Sequence, residues 1–414
     1  MQQNLSQKTN LQHLFSIPVI VAALGYFVDI YDLLLFGIVR VPSLQDMGLS
    51  KEEIGVIGKN ILNWQMGGLL LGGILWGILG DKKGRLSVLF GSILTYSLAN
   101  IGCGFVKDPT TYALLRFIAG IGLAGELGAG ITLVSEVLPK ELRAIGTSIV
   151  AGVGLFGAVA GYFTVELFGG WRTAYFVGGG LGVVLLLLRI SVFESGMFEN
   201  IKHQTGVKKG NFFALFTNAD RLSRYLKCIA IGMPTWFVIG ILATFANEFG
   251  EKLGIAEEIK PGKAIMFCYI GLAIGDLASG FISQFLSSRK KAVSLLLVLT
   301  LICSVYYLYA GMNSAQELYT VCVFAGFSVG YWAMFVTIGA EQFGTNLRAT
   351  AATTVPNMVR GTVIGMTSLY SGLKPSLDVF NAAAIVGIIC FVLAFYSILT
   401  IPETHNKDLD YLEE

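Results

Sequence analysis

The sequence predicts an all-α integral membrane protein with twelve transmembrane helices in two six-helix pseudo-symmetric bundles. Three observations carry that expectation. Of 414 residues, 54% are hydrophobic and only 14% charged, with a mean hydropathy of +0.69, whereas soluble domains carry about 25% charged residues. Apolar runs of about 20 residues, the length that crosses a hydrocarbon core of roughly 30 Å, recur almost end to end with short connections. Markers of the first half also return in the second at nearly one offset: Gly77 to Gly280 is 203 positions (280 − 77), Glu136 to Glu341 is 205 (341 − 136) and Arg143 to Arg348 is 205 (348 − 143).

The spans fall at 14–40, 54–79, 86–106, 111–137, 144–168, 173–193, 225–249, 262–286, 292–311, 316–342, 349–372 and 378–401. The first follows the polar segment MQQNLSQKTN. It is too long, and too interrupted by Asp29 and Asp32, for a cleaved signal peptide, so it is kept as helix one. The second and third are joined by Gly77 to Arg85, which sets Asp81, Lys82, Lys83 and Arg85 between apolar runs as a polar hairpin turn. The fourth reads RFIAGIGLAGELGAG and carries Arg116 and Glu126; the fifth reads GVGLFGAVAG; the sixth closes an N-terminal bundle at 1–193. The longest polar loop, 194–224, contains NIKHQTGVKKGN and reads as a cytoplasmic linker to a C-terminal bundle at 225–414 with a short cytoplasmic tail. The seventh span holds Pro234 and Trp236. The eighth and ninth flank a blurred copy of the first hairpin, Gly280 to Lys291, in which Gln284 replaces the aspartate and Ser287 the glycine. The tenth contributes Tyr331 and Trp332, and the eleventh Asn357 and Arg360. Repeats of this kind are a transporter architecture with a midplane site between the halves. The 51 glycines, concentrated within spans, let helix backbones approach closely where lipid offers no hydrophobic drive.

Lysine and arginine gather on the N-terminal side of helix one, at Lys82, Lys83, Arg85, Arg143, Lys208, Lys209, Arg221, Arg289, Lys290 and Lys291. Both termini are therefore expected in the cytoplasm, and the chain in the inner membrane. The net charge of +2 says nothing further about partners. The six cysteines lie in apolar spans without a Cys-x-x-Cys pair, and His13, His203 and His405 are far apart, so neither disulfides, a metal site nor a cofactor is indicated.

Seven charges stand out within spans: Asp29, Asp32, Lys59, Arg116, Glu126, Asp276 and Arg360. Each costs about 2.5–3.5 kcal/mol at the middle of a spanning helix, so each points to a function or a buried partner. Asp32 and Arg116 lie at depths within roughly 6 Å of each other, counted at the helical rise. They are expected to form the proton-carrying pair. Asp29 is three residues away on nearly the same face, and Glu126 is read as a second proton site or a partner for Lys59 or Asn63. Arg360, with Asn357 one turn earlier, is expected to clamp a substrate carboxylate, because guanidinium matches two oxygens; the alternative is pairing with Asp276 or Glu126. Trp236, Tyr331, Trp332, Asn60 and Asn63 complete the expected substrate set. Asp81, Arg85, Glu136, Arg143, Glu341 and Arg348 are read as a breakable gate of exposed pairs worth roughly 0–1 kcal/mol each. Shifting by 205 carries Arg360 to Leu155 and Glu126 to Tyr331 (360 − 205; 126 + 205), so the polar equipment was not duplicated. The N-terminal half is expected to handle the proton, and the C-terminal half more of the substrate grip.

Gly77, Leu79, Asp81, Gly84 and Arg85 resemble the loop between helices two and three of the major facilitator superfamily, and the resemblance covers essentially the whole chain. Arg116 to Glu126, Phe193 to Phe198 and Pro402-Glu403-Thr404 look like the sugar porters and metabolite–proton symporters. Asp29-Ile30-Tyr31-Asp32 is similar to the paired-aspartate motif of organic and aromatic acid symporters. Two departures stand out: Phe193 occupies the place of a proline before Glu-Ser, and Ala158 that of the proline in the drug–proton antiporter signature. The resemblance implies the major facilitator fold, an acid and an arginine acting on the proton at Asp32 and Arg116, and an inner gate. The expectation is a secondary transporter, not an enzyme, that imports a small polar metabolite, carboxylate or amino-acid-like, with protons by alternating access. A sugar or polyol symporter or facilitator, or a proton-driven exporter, is the alternative. Its partners would be that substrate, protons and membrane lipid, with no nucleic acid, and the chain would act as a monomer.

Overall fold

The computed structural model describes residues 15–83, 85–126, 138, 143–194, 212–404 and 413. Twelve helical rods correspond to the twelve expected spans: α1 Ile17–Asp46, α2 Lys51–Lys83, α3 Arg85–Cys103, α4 Pro109–Leu123, α5 Arg143–Phe168, α6 Trp171–Glu194, α7 from Ala219, α8 Pro261–Phe285, α9 Arg289–Tyr309, α10 from Ala315, α11 Thr345–Leu373 and α12 Val379–Thr400. Eight described helices are long and apolar enough to cross a membrane by length and composition. The others fall short within the described residues, where α2, α3 and α4 are only partly covered and α11 carries polar side chains along its length.

Boundaries depart from expectation where a side chain changes the local balance. α1 continues through Pro42 to Asp46, six residues past the expected end. Arg40, the last residue of the expected span, is buried. α7 is broken: α7a Ala219–Phe237 contains Pro234, a π-helical turn follows at Val238–Ala243, and α7b Ala246–Lys252 resumes after Thr244 and Phe245. α10 is broken at Val329–Gly330–Tyr331 into α10a Ala315–Ser328 and α10b Trp332–Glu341. Asp276 of α8 sits at the start of α10b and accepts the Ala333 amide at 2.9 Å, satisfying an orphan N–H there.

The packing repeats with a shift of six helices. α1 packs on α5 and α6, α2 on α4, and α3 on α6; correspondingly α7 packs on α11 and α12, α8 on α10, and α9 on α12. The halves meet along α2–α11 and α5–α8, again equivalent seams. Glycine makes the tightest contacts within each half. A Cβ on Gly68 or Gly72 would overlap backbone of α4, and one on Gly120 the Gln65 carbonyl. In the second half a Cβ on Gly271 or Gly275 would overlap α10a carbonyls, and one on Gly326 the Cys268 carbonyl. Both α2 glycines lie 203 positions before their α8 equivalents (271 − 68; 275 − 72), the offset of the two hairpins. These small-xxx-small seams bring backbones together without side chains between them.

Candidate functional site

Where the halves meet, α1, α5, α7a, α8, α10b and α11 line a narrow cavity. α1 supplies Tyr26 and Ile30 one turn apart, and α5 supplies Leu155. The second half supplies Thr235 and Trp236 just past Pro234, Tyr269, Trp332 at the first position of α10b, and Arg360. The helix breaks thus place Trp236 and Trp332, whose rings meet edge-on at 6.5 Å, on the cavity wall.

Arg360 is 1% exposed. Its Nη1 donates to Asn357 Oδ1 at 3.3 Å, its guanidinium stands 6.0 Å from the Trp332 ring, and Nη2 lies 4.0 Å from Asp29 Oδ2 on α1. The acid nearest Arg360 is therefore Asp29, neither Asp276 nor Glu126. The pair joins the two halves, and both Asp29 oxygens lack a hydrogen-bond donor among the described residues. Trp236 Nε1, Thr235 Oγ1 and Arg360 Nε are likewise buried without a partner. Asn357 is a bridge, donating to the Ala124 carbonyl of the other half at 3.0 Å and to the Thr353 carbonyl at 3.1 Å.

The remaining sequence candidates are distributed differently. Asp32 is fully buried in the first half with both oxygens lacking a hydrogen-bond partner among the described residues, and Arg116 lies within electrostatic reach. The two form no ion pair, because Arg116 Nη2 donates to Asn100 and its guanidinium stands 4.8 Å from the Tyr175 ring. A side chain on Gly178 of α6 would collide with Asp32 Oδ1, so Asp32 faces α6. Glu126 pairs with neither Lys59 nor Asn63. It takes two parallel hydrogen bonds from Arg189 of α6, at 3.0 and 2.9 Å, and a third from Ser92 at 3.0 Å. Asn63 accepts from Thr367 across the α2–α11 seam at 2.6 Å, Gln65 donates to the Leu33 carbonyl at 2.9 Å, and Asn60 is exposed. Tyr331 does not line the cavity; from the α10 break its hydroxyl donates to the Ile231 carbonyl of α7a at 3.1 Å.

Of the residues read as a gate, Asp81, Arg85, Glu136, Arg143 and Arg348 lie outside the described side chains. Glu341 accepts from Arg289 at 2.7 Å, within the second half. Near it Glu403 crowns α9, accepting from Ser288 Oγ and from the Arg289 and Lys290 amides. At the opposite end of the bundle, Lys51 pairs with Glu251 at 2.5 Å and Lys260 with Glu166 at 2.9 Å, each pair spanning the halves. Sequence reasoning passed over Arg40 and Arg189. Both sit near span ends, where lysine and arginine ordinarily reach for water. The signal that marks them is proximity to an acid or a helix break on another rod.

The Major Facilitator Superfamily model matches residues 22–377. The chain is 25% identical over 408 residues to a probable 4-methylmuconolactone transporter of Cupriavidus pinatubonensis, covering 94% of this chain and 91% of that one. It is 25% identical over 352 residues to a gentisate transporter of Corynebacterium glutamicum, covering 78% and 73%. Among solved structures it superimposes on a D-xylose-proton symporter with a TM-score of 0.67 at 15% identity, covering 94% of this chain and 99% of that one. With the paired six-helix packing and a cavity between the halves, these matches establish that the chain belongs to the major facilitator superfamily and is a membrane transporter of small metabolites, not an enzyme.

Proposed function

We propose that the protein imports a small carboxylate with an apolar, ring-like body, together with a proton, by alternating access. The observation that carries this reading is the buried Arg360–Asp29 pair, one residue from each half, beside an aromatic-walled cavity. Its formal charges cancel. A substrate carboxylate that takes Arg360 adds a negative charge to a site almost without water, and leaving that charge unbalanced is strongly unfavourable. A proton on Asp29 restores neutrality. One anion then travels with one proton, and the unpartnered donors at Trp236, Thr235 and Arg360 supply hydrogen bonds to it. Relatives described as gentisate and 4-methylmuconolactone transporters support a cyclic, acid-bearing cargo.

In this reading Asp29 is the proton residue nearest the substrate, and Asp32 with Arg116 is a second acid–base group deeper in the first half. Glu126 is a structural partner of Arg189. Arg360, Trp236 and Trp332 grip the substrate, with Asn357 orienting Arg360. The chain acts as a monomer in the inner membrane with both termini cytoplasmic, so the end bearing Lys51, Glu166, Glu251 and Lys260 is outer. Bundles at 1–193 and 225–414, joined by the linker 194–224, rock about the α2–α11 and α5–α8 seams. The six residues Asp81, Arg85, Glu136, Arg143, Glu341 and Arg348 form the inner gate.

The test is uptake of labelled benzoate, the simplest aromatic acid, by proteoliposomes under an inward proton gradient. Accumulation that a protonophore collapses and that Arg360→Gln abolishes is the expected result. Uptake of neutral polyols in preference to acids, or benzoate uptake indifferent to Arg360→Gln, would overturn the reading.

A further inference from the structure

Arg40 is a second buried arginine at the interface between halves, and among the described residues it has no carboxylate partner. Its Nη2 donates to the Thr244 carbonyl at 2.9 Å and to Asn247 Oδ1 at 3.2 Å, and its guanidinium stands 4.5 Å from the Phe245 ring. These are neutral dipoles and a π-face, and Nε has no hydrogen-bond partner. The neighbouring acid, Glu248, is already engaged by Lys374 at 2.8 Å and by the Tyr370 hydroxyl at 3.0 Å. Counting Arg40 and Lys374 as +1 each and Glu248 as −1, this group carries a net charge of +1. The central site, Arg360 with Asp29, carries none. A buried cation held only by dipoles is an attractor for an anion.

Beside Arg40 lies a second, narrow cavity, which would have to widen to admit a ligand. Thr244, whose carbonyl binds Arg40, lines it, as does Gly37, one turn before Arg40 on the same face of α1. Its remaining walls are almost wholly apolar, with Leu34, Met66 and Ile265 among them. Trp236 and Ile239 belong to both cavities, so a single layer of side chains separates this chamber from the central one. Trp236 lies just before the π-helical turn, where the wide helix loosens the normal register of α7.

We propose that Arg40 and the chamber beside it form a second binding site for a small carboxylate with an apolar body, the acid on Arg40 and the body against Trp236. The proposal rests on the carboxylate reading above. The substrate's oxygens would replace Asn247 and the Thr244 carbonyl around the guanidinium, which also releases a link between α1 and α7. The acid is captured first where charge is in excess and then passes Trp236 to the neutral pair, where the proton joins it.

The experiment is equilibrium binding of labelled benzoate to the full chain in nanodiscs, scored as molecules bound per protein. The expected result is two for the parent protein and one for Arg40→Gln, with Arg360→Gln also retaining one and the double variant none. Asn247→Asp, which cancels the excess charge while keeping Arg40, also reduces two to one, and it decides the matter should Arg40→Gln fail to fold. Two molecules retained by both Arg40→Gln and Asn247→Asp would overturn the second site and leave the central reading intact. A single site in the parent, removed by Arg360→Gln alone, would do the same. A parent protein that binds no benzoate would sink the carboxylate reading and this proposal with it.

Discussion

At the scale of single residues, the buried charges divide into those satisfied at rest and those left for cargo. Glu126 is satisfied: three hydrogen bonds hold the carboxylate, and its partner Arg189 presses against Gly25 of α1. Removing one partner of a buried pair leaves the other uncompensated, at about 3–5 kcal/mol. Glu126→Gln should therefore lower the unfolding midpoint of the purified protein, while uptake per folded molecule changes little. Asp29 predicts the opposite pattern. If substrate binding brings a proton to Asp29, the apparent affinity for benzoate should fall as pH rises, by about tenfold per unit while the empty site holds Asp29 ionised. Asp29→Asn should make affinity independent of pH in the same titration; a slope retained in that variant would move the proton to another acid. Arg360, Asp29, Trp236 and Trp332 were legible in the sequence because a charge or an indole in mid-span is conspicuous. Their pairing was not, because which acid faces which arginine depends on how rods rotate and pack. Asp32 and Arg116 match in depth yet face different neighbours. Asp29 and Arg360 are separated by the whole linker and still meet.

At the scale of elements, the rods were legible and their breaks were not. Hydropathy over 225–249 and 316–342 is continuous, so nothing in the pattern announces the turns at Thr244 or Gly330. The breaks follow from tertiary demands. A Cβ at Gly330 would overlap the Gly275 backbone, and Asp276 supplies a carboxylate to the amides of α10b. Gly330→Ala should sharply reduce the yield of folded protein. Gly365 of α11 is exposed with nothing near its missing Cβ, so Gly365→Ala should stabilise by about 0.5–1 kcal/mol through helix propensity alone. Thermal unfolding of the two variants side by side checks both signs. Helix starts also carry a pH signature. The Asp108 carboxylate caps α4, and hydrogen bonding from the Thr111 amide holds its pKa below the ordinary value. The cap is therefore in place above the ordinary carboxylate range and is lost only as pH falls through the lowered value.

At the scale of the whole molecule, the state described is closed at the end opposite the hairpin loops. Lys51–Glu251, Lys260–Glu166 and Arg40 with α7 tie the halves there. A hydrogen bond from Lys260 to Glu166 raises the lysine's pKa above its usual value. The clasp is fully formed below the ordinary lysine range and weakens only as pH climbs through the raised value, so pH changes around neutrality should not open it. Exposed pairs of this kind contribute roughly 0–1 kcal/mol each. Reversing Lys260 to Glu should shift the population toward the open state by up to about fivefold, measured as spin-label distances between the Lys51 end of α2 and the Glu251 end of α7b. Restoring the pair with Glu166→Lys in the same chain should bring the distances back.

The glycine seams carry a consequence for how such a protein changes its diet. At Gly68, Gly72, Gly120, Gly271, Gly275 and Gly326 the chassis is fastened backbone to backbone, while Tyr26, Trp236, Tyr269, Trp332 and Arg360 hang from other faces of the rods and line the cavity between the halves. Fastening and taste are thus written in separate letters. Laboratory selection for growth on an unfamiliar acid should accumulate substitutions among the second set and leave the six glycines untouched, so that a lineage can trade one nutrient for another without rebuilding the machine that moves it.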